Sequence, residues 1–279
     1  MVGGISDFET DEHSRLGASS CARWLACPGS IRLAKEMPEE ESSEFAMEGT
    51  AAHKLAEISL RIESDPLKFV GQTIVLDERD KNAEYEVTEN MAAAVQEYYE
   101  VIQEFIQHDG ASYNIEHRFQ LDWIDNECFG TNDFSVFVPN YQGSNYPPLV
   151  GKNILAVIDY KHGQGVAVDA VGNKQLRFYG AGARRAFPKP DAIILIIVQP
   201  RAPHEDGPVR HEIITPEQLD KFELELAHGV AAVRKPDAPL AVGSWCKWCP
   251  AMAKCPELHN QSMQKAQAAF QPVDRVFSY

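Results

Sequence analysis

The 279-residue chain has no run of about 18 uncharged apolar residues, so it offers no transmembrane helix. Its longest apolar run, Ala192 to Val198, is only strand-sized. The opening Met-Val-Gly-Gly-Ile-Ser-Asp-Phe-Glu-Thr is acidic and lacks an apolar signal core, so the expected location is cytoplasmic. Basic residues are scarce: Lys+Arg total 26 against 41 Asp+Glu, a net charge of −15 with a sequence pI near 5.0. That balance excludes a surface coated in positive charge but leaves room for a local basic stripe facing nucleic acid. There is no internal repeat and no low-complexity segment. An apolar fraction of 44% suffices for a sizeable core, and the length allows one large domain or two small ones.

Cysteine is sparse but unevenly placed. The six are Cys21, Cys27, Cys128, Cys246, Cys249 and Cys255. In a chain of this size without a signal peptide, reduced thiols are expected rather than disulfides. Cys246, Cys249 and Cys255 form C-x2-C-x5-C, a spacing that holds one metal centre if a fourth ligand is found. Cys27 in Ala-Cys-Pro-Gly is one candidate. His259, four residues after Cys255, is the other and would give a local Cys₃His zinc site; spacing alone leans slightly to it, because no long loop must close. Cys21 and Cys128 read as ordinary buried thiols. Trp245 and Trp248 are placed to shield the sulfurs or to stack on bases.

Hydrophobic periodicity divides the rest. Residues 1–18 read as a flexible tail and 260–279 as a C-terminal tail, enclosing one domain over 19–259. Two short helices separated by Pro28-Gly29 span Ser19 to Lys35, an acidic loop covers 36–44, and helices follow over Phe45 to Ile62 and Thr88 to His108. Strands are expected at Ser112–Leu121, Phe129–Val138 and Asn153–Tyr160, with a hairpin loop at Tyr141–Gly151. A helix over Gly172–Phe187, a doubly buried strand at Ala192–Gln199 and a helix over Thr215–Val233 complete the pattern. The fold class is α/β, with a mixed central sheet flanked by helices.

The chemistry concentrates in Val157-Ile158-Asp159-Tyr160-Lys161, where an apolar strand ends in Asp-x-Lys and both charged side chains face one side of the sheet. Alone, such a tripeptide is equally a surface ion pair. Gly130-Thr131-Asn132-Asp133 places a second carboxylate in a β segment that a meander would set beside Asp159. Together they make a hard oxygen site suited to Mg²⁺ or Mn²⁺, with Lys161 to orient a water or neutralise phosphate charge. Glu116, in Tyr-Asn-Ile-Glu-His-Arg, is a third carboxylate or a partner for a nearby base. His53, in Glu48-Gly-Thr-Ala-Ala-His53, is a structural helical histidine or a further ligand. Gln175 and Tyr179 share one helical face. Lys174, Arg177, Arg184, Arg185 and Lys189 give that helix five bases and no acid, a stripe suited to phosphate or to solvent.

Glu-Gly-Thr-Ala-Ala-His, Gly-Thr-Asn-Asp, Ile-Asp-Tyr-Lys and Gln-Leu-Arg-Phe-Tyr, in that order, resemble the motifs of RecB-like nucleases in the PD-(D/E)xK superfamily. Ser-Cys-Ala-Arg-Trp-Leu-Ala-Cys-Pro-Gly-Ser also looks like the start of its phage and prophage members. The likeness spans residues 19 to 256; Asn132-Asp133 stands where the superfamily has Pro-Asp. It implies a restriction-endonuclease-like core and a Mg²⁺- or Mn²⁺-dependent DNA nuclease, most simply an exonuclease. His53, Asp133 and Asp159 would hold the metal, with Glu116 as a further candidate. Lys161 would be the catalytic lysine. Gln175 and Tyr179 would contact the site or the DNA, which would approach along Lys174, Arg177, Arg184 and Arg185. Relatives of the CRISPR-adaptation and AddB types carry one early and three late cysteines around a [4Fe–4S] cluster. By resemblance Cys27, Cys246, Cys249 and Cys255 would do the same, joining the two ends of the domain, with Zn²⁺ as the alternative. The implied setting is phage recombination or DNA processing, with a recombination or single-strand annealing protein as partner. Some relatives form toroidal oligomers, for which this sequence carries no signal. The rival reading is a non-catalytic DNA-end or partner-binding protein that keeps the fold.

Overall fold

A computed structural model describes residues 14–38, 43–76 and 83–270. The expected first tail, acidic loop and last tail fall partly outside these. Within them no helix is long and apolar enough to cross a membrane.

Helices α1 (Cys21–Ala26) and α2 (Ser30–Ala34) are followed by α3 (Glu44–Arg61), a small antiparallel pair of β1 (Thr73–Val75) and β2 (Glu84–Glu86), and α4 (Glu89–Ile106). Side chains that cap the first turn start the long helices: Ser43 accepts from the Ala46 amide and Thr88 from the Met91 amide. Five strands then build one sheet in the order β3 (Ser112–Gln120), β4 (Phe129–Val138), β5 (Ile154–Tyr160), β6 (Ala192–Val198) and β7 (Val209–Ile214). Only β5 and β6 run parallel, joined through α5 (Lys174–Ala186); the other neighbours are antiparallel. Every residue of β5 and β6 is buried, which explains why both read as apolar runs rather than as alternations.

The two faces of β5 go to different cores. Ile154, Ala156, Ile158 and Tyr160 join α3 and α4, while Leu155 and Val157 join α1, α5 and α6 (Pro216–Val233). Small residues let α5 lie close to the sheet: a Cβ on Gly182 would come within 2.4 Å of Phe119 Cβ.

Three features go beyond the expectations. Residues 14–18 are not loose, because Leu16 and Ala18 pack fully into the core beside Trp24. The expected C-terminal tail is helical in its first part: α7 (Pro256–Ala269) runs ten residues past 259. Strand β7 was not expected, because Arg210, His211 and Glu212 mask its pattern. Arg210 is nonetheless 4% exposed, donating to Gln199 Oε1 and to the carbonyls of Val168 and Gly207. Such a cation is tolerated in an interior because its donors are matched.

Candidate functional site

The register of β4 and β5 pairs Phe134 with Ile158, so Asp133 and Asp159 lie opposite one another one position on. Asp159 is 1% exposed, and Lys161 Nζ sits 2.8 Å from its Oδ2. Lys161 also donates to Gln175 Oε1 at 3.1 Å, and Gln175 Nε2 donates to the Tyr179 hydroxyl at 3.1 Å. The helical i, i+4 spacing of Gln175 and Tyr179 thus makes a two-step brace for the lysine. Asn173 starts that helix by accepting from the Leu176 amide.

Asp133 uses Oδ2 to accept from the Tyr160 amide at 2.7 Å, and His53 Nδ1 of α3 lies 3.5 Å from its Oδ1. Glu116 stands opposite Asp133 on β3, between the paired positions Ile115–Phe134 and His117–Asn132. Its φ of 46° is left-handed, a conformation that a non-glycine residue holds within a strand only against strain. Ligand atoms of His53, Glu116 and Asp133 all lie within 4.8 Å of one another, the one group of three such side chains among the described residues. Asp159 is not in that group; its carboxylate is engaged by Lys161.

The electrostatics fit a cation. Burial and the adjacent Asp133 push Glu116 up to about 8. Burial pushes Asp133 up to about 6, with Asp159 adding to the rise and His53 opposing it. Burial works against the charge of Lys161, but Asp159 and Asp133 hold its ammonium above the usual lysine range. Three carboxylates this close repel until a positive charge joins them.

Behind these groups lie three side chains that no expectation named: His162, Glu48 and Arg201 bond one another beside Tyr160. His162 is buried; its Nδ1 meets the Tyr160 hydroxyl at 2.8 Å and its Nε2 lies 3.3 Å from Glu48 Oε1. Arg201 contacts His162 and bonds Glu48 at 2.8 Å. Burial, then Arg201, hold His162 down at about 4, a neutral imidazole. Glu48 opens the Glu-Gly-Thr-Ala-Ala-His motif and His162 directly follows Lys161, which is the signal that could have found them; Arg201 has no local signal.

Cys27, Cys246, Cys249 and Cys255 line one small cavity with Trp245, Leu33 and Leu258. The Ala241 amide donates to Cys27 Sγ at 3.3 Å and the Gly243 amide to Cys246 Sγ at 3.4 Å. Burial raises the Cys27 thiol, and the neighbouring Cys249 and Cys255 raise it further. His259 is exposed and does not line the cavity. Trp248 is 68% exposed, so of the two tryptophans only Trp245 covers the sulfurs. Cys21 and Cys128 are buried and free, the second pushed up to about 12 by burial.

A family model described as "Protein of unknown function (DUF2800)" matches residues 13–277. The chain belongs to the DUF2800 family. Among solved structures, a crystal structure of a candidate exonuclease from Eubacterium rectale aligns over 84% of this chain and 85% of that one, at 12% identity and a TM-score of 0.45. The protein SSO0001 aligns over 85% and 96%, at 13% identity and a TM-score of 0.30. Neither likeness is close enough to carry chemistry across.

In this DUF2800 chain the expected phosphate stripe on α5 is neutralised at each of its four site positions. Lys174 pairs with Glu225 at 2.8 Å, Arg177 with Glu212 at 2.7 Å, and Arg184 with Asp220 and Glu223 at 2.7 and 2.5 Å. Arg185 pairs with Glu223 at 3.1 Å and lies over the Trp123 ring. A DNA phosphate would have to displace a carboxylate from each.

Proposed function

We propose that this chain is a metal-dependent DNA nuclease of the PD-(D/E)xK kind, acting as a phosphodiesterase on DNA. The single observation behind the reading is the meeting of His53, Glu116, Asp133, Asp159 and Lys161 at the sheet rim. The donor set, one imidazole and hard carboxylate oxygens, suits Mg²⁺ or Mn²⁺. His53, Glu116 and Asp133 would hold the ion, with Asp159 beside them. Bound there, it would polarise the scissile phosphate and ease deprotonation of a water.

The chain's own groups do the rest. Lys161 stays protonated and presents its ammonium to the attacking water or to the phosphate oxygens as charge builds. Gln175, held by Tyr179, fixes the lysine rotamer, and Asp159 fixes its charge. Burial of Asp159 keeps bulk water from screening that pair. The Glu48–His162–Arg201 shell holds α3, and with it His53, against the end of β5. The water attacks phosphorus, one P–O bond breaks, and a phosphate monoester and a hydroxyl result. Exonucleolytic action and a phage recombination setting rest on the motif likeness alone.

For the thiols, the reading is a [4Fe–4S] cluster on Cys27, Cys246, Cys249 and Cys255. Two observations support it over a local zinc site: Cys27 lines the cavity and His259 does not.

The test is incubation of linear DNA with Mg²⁺ or Mn²⁺, comparing wild type with Asp159→Ala and Lys161→Ala. Cleavage by wild type, lowered about 10²-fold or more in each variant, is expected. Intact DNA across metals and end structures would remove the enzyme reading and leave a DNA-end or partner-binding protein.

A further inference from the structure

A groove of about 620 Å³ is walled by the α1–α2 segment and by the start of β4, and it opens on Glu116 and Tyr179. Through Glu116 it is therefore continuous with the candidate metal centre, and none of the α5 bases lines it. Arg15, Arg23 and Lys35 line it, against one carboxylate, Glu116. Among the described residues Arg15 and Lys35 have no ion-pair partner, and Arg23 has only the Ser30 hydroxyl at 3.3 Å. Arg118 adds a fourth cation, its guanidinium 3.7 Å over the ring of Phe129 in the groove wall. The floor is closely set: a Cβ on Gly130 would lie 3.0 Å from Ala18 Cβ and 3.1 Å from the Tyr179 ring.

In a chain of net charge −15, three cations without a carboxylate partner among the described residues, beside a cluster of acids, call for an anionic ligand. The volume is that of a site for a nucleotide-sized group rather than a lone ion. We propose that this groove binds phosphates of the substrate strand through Arg15, Arg23 and Lys35, while the scissile phosphate sits at the metal centre. The proposal rests on the nuclease reading and gives it a direction: the strand enters beside α1 and α2, not along α5. The shared chemistry is a phosphate held by guanidinium and ammonium groups; its source is either a strand end or internal phosphodiesters.

The experiment is fluorescence anisotropy of labelled oligonucleotides binding the full chain in chelator, which prevents cleavage, over a salt series. Arg15→Gln/Arg23→Gln/Lys35→Gln is compared with wild type and with Lys174→Gln/Arg185→Gln, with thermal melts confirming folding. The groove variant should lose at least tenfold in affinity. Its slope of log affinity against log salt should fall by about 2, at about 0.7–0.9 per phosphate contact. The α5 variant should stay within twofold, and Arg15→Lys/Arg23→Lys should recover most of the binding. If removing a terminal phosphate from the oligonucleotide weakens wild type as the groove variant does, the strand end is the source; if it changes nothing, internal phosphodiesters are. Wild type binding with a groove variant of equal affinity and slope overturns the groove while leaving the nuclease reading intact. Wild type that binds no DNA in chelator overturns the groove, and the nuclease reading falls only if DNA also stays intact with Mg²⁺ and Mn²⁺.

Discussion

Removing the charge of Glu116 should make the metal-free protein more stable at neutral pH, although the residue is one of the three proposed metal ligands. An unfolded glutamate titrates near 4.5, and this one is pushed up to about 8 by burial and Asp133. A carboxyl whose folded value lies above its unfolded value is held more tightly as the acid in the fold. Its contribution is therefore favourable below about 4.5 and is lost as pH rises toward 8. His162 works in another window: held down at about 4 against 6.5 unfolded, it takes stability away as pH falls from 6.5 to 4. Asp133 has largely finished by about 6. The interval from 6.5 to 8 thus isolates Glu116. Over it, metal-free wild type should lose about 1–2 kcal/mol, at about 1.4 kcal/mol per tenfold in proton affinity reduced for partial exposure. For a chain of this length that is a fall in Tm of roughly 3–6 °C. Glu116→Gln should flatten the slope and melt above wild type at pH 8. Mn²⁺ should raise wild type at pH 8 and raise the variant much less, because the ion offsets the repulsion that the amide has already removed. The assay is a thermal melt in chelator, then in Mn²⁺, from pH 6.5 to 8. Parallel pH profiles for wild type and variant would refute the argument that these three side chains form one electrostatic unit.

Cys27→Ser should abolish iron binding and visible thiolate-to-iron absorption in protein purified without oxygen, while His259→Ala leaves both unchanged; elemental analysis showing zinc in place of iron would overturn the cluster. Gly130→Val should destabilise the protein by about 1–3 kcal/mol, read from urea midpoints, because its Cβ alone already meets Ala18 and the Tyr179 ring; an unchanged midpoint would show that loop 14–18 yields freely. Arg201→Met should shrink the loss of stability between pH 6.5 and 4. Without the guanidinium, Glu48 can accept a protonated His162; a larger acid loss in the variant would mean that Arg201 holds the shell rather than opposes the charge.

Much of this architecture was legible because the local signals agreed. Apolar periodicity placed α3, α4, α5 and α6 within a residue or two, β5 read as a strand, and a continuous apolar run marked β6 as a strand buried on both faces. Asp-x-Lys at the end of β5 and Asn-Asp in β4 implied that Asp133 and Asp159 would meet, and the antiparallel register sets them opposite. Legibility failed where tertiary pairing reversed a local property. β7 carries Arg210, His211 and Glu212, yet Arg210 is buried because three acceptors wait for it. The bases of α5 look like a free stripe in one dimension, and only the packing of α6 and β7 brings Glu212, Asp220, Glu223 and Glu225 against them. Arg15, Arg23 and Lys35 form no run at all; they become a groove because α1 and α2 fold back beside β4.

The same folding links the two ends of the protein. Cys27 lies between α1 and α2, and Gly29 in that turn takes the Pro239 carbonyl at 2.9 Å, with no room for a Cβ 2.6 Å from the Ala238 carbonyl. The segment that bears Arg23 and Lys35 is thus fixed from behind by the C-terminal stretch that carries Cys246, Cys249 and Cys255. The proposed cluster would therefore also hold one wall of the basic groove, whereas His53, Glu116 and Asp133 are anchored in α3 and the sheet. Loss of the thiolate centre should therefore weaken DNA binding before it weakens Mn²⁺ binding. In Cys27→Ser, a fall in Mn²⁺ affinity as large as the fall in DNA affinity would show that the two ends are not mechanically separate.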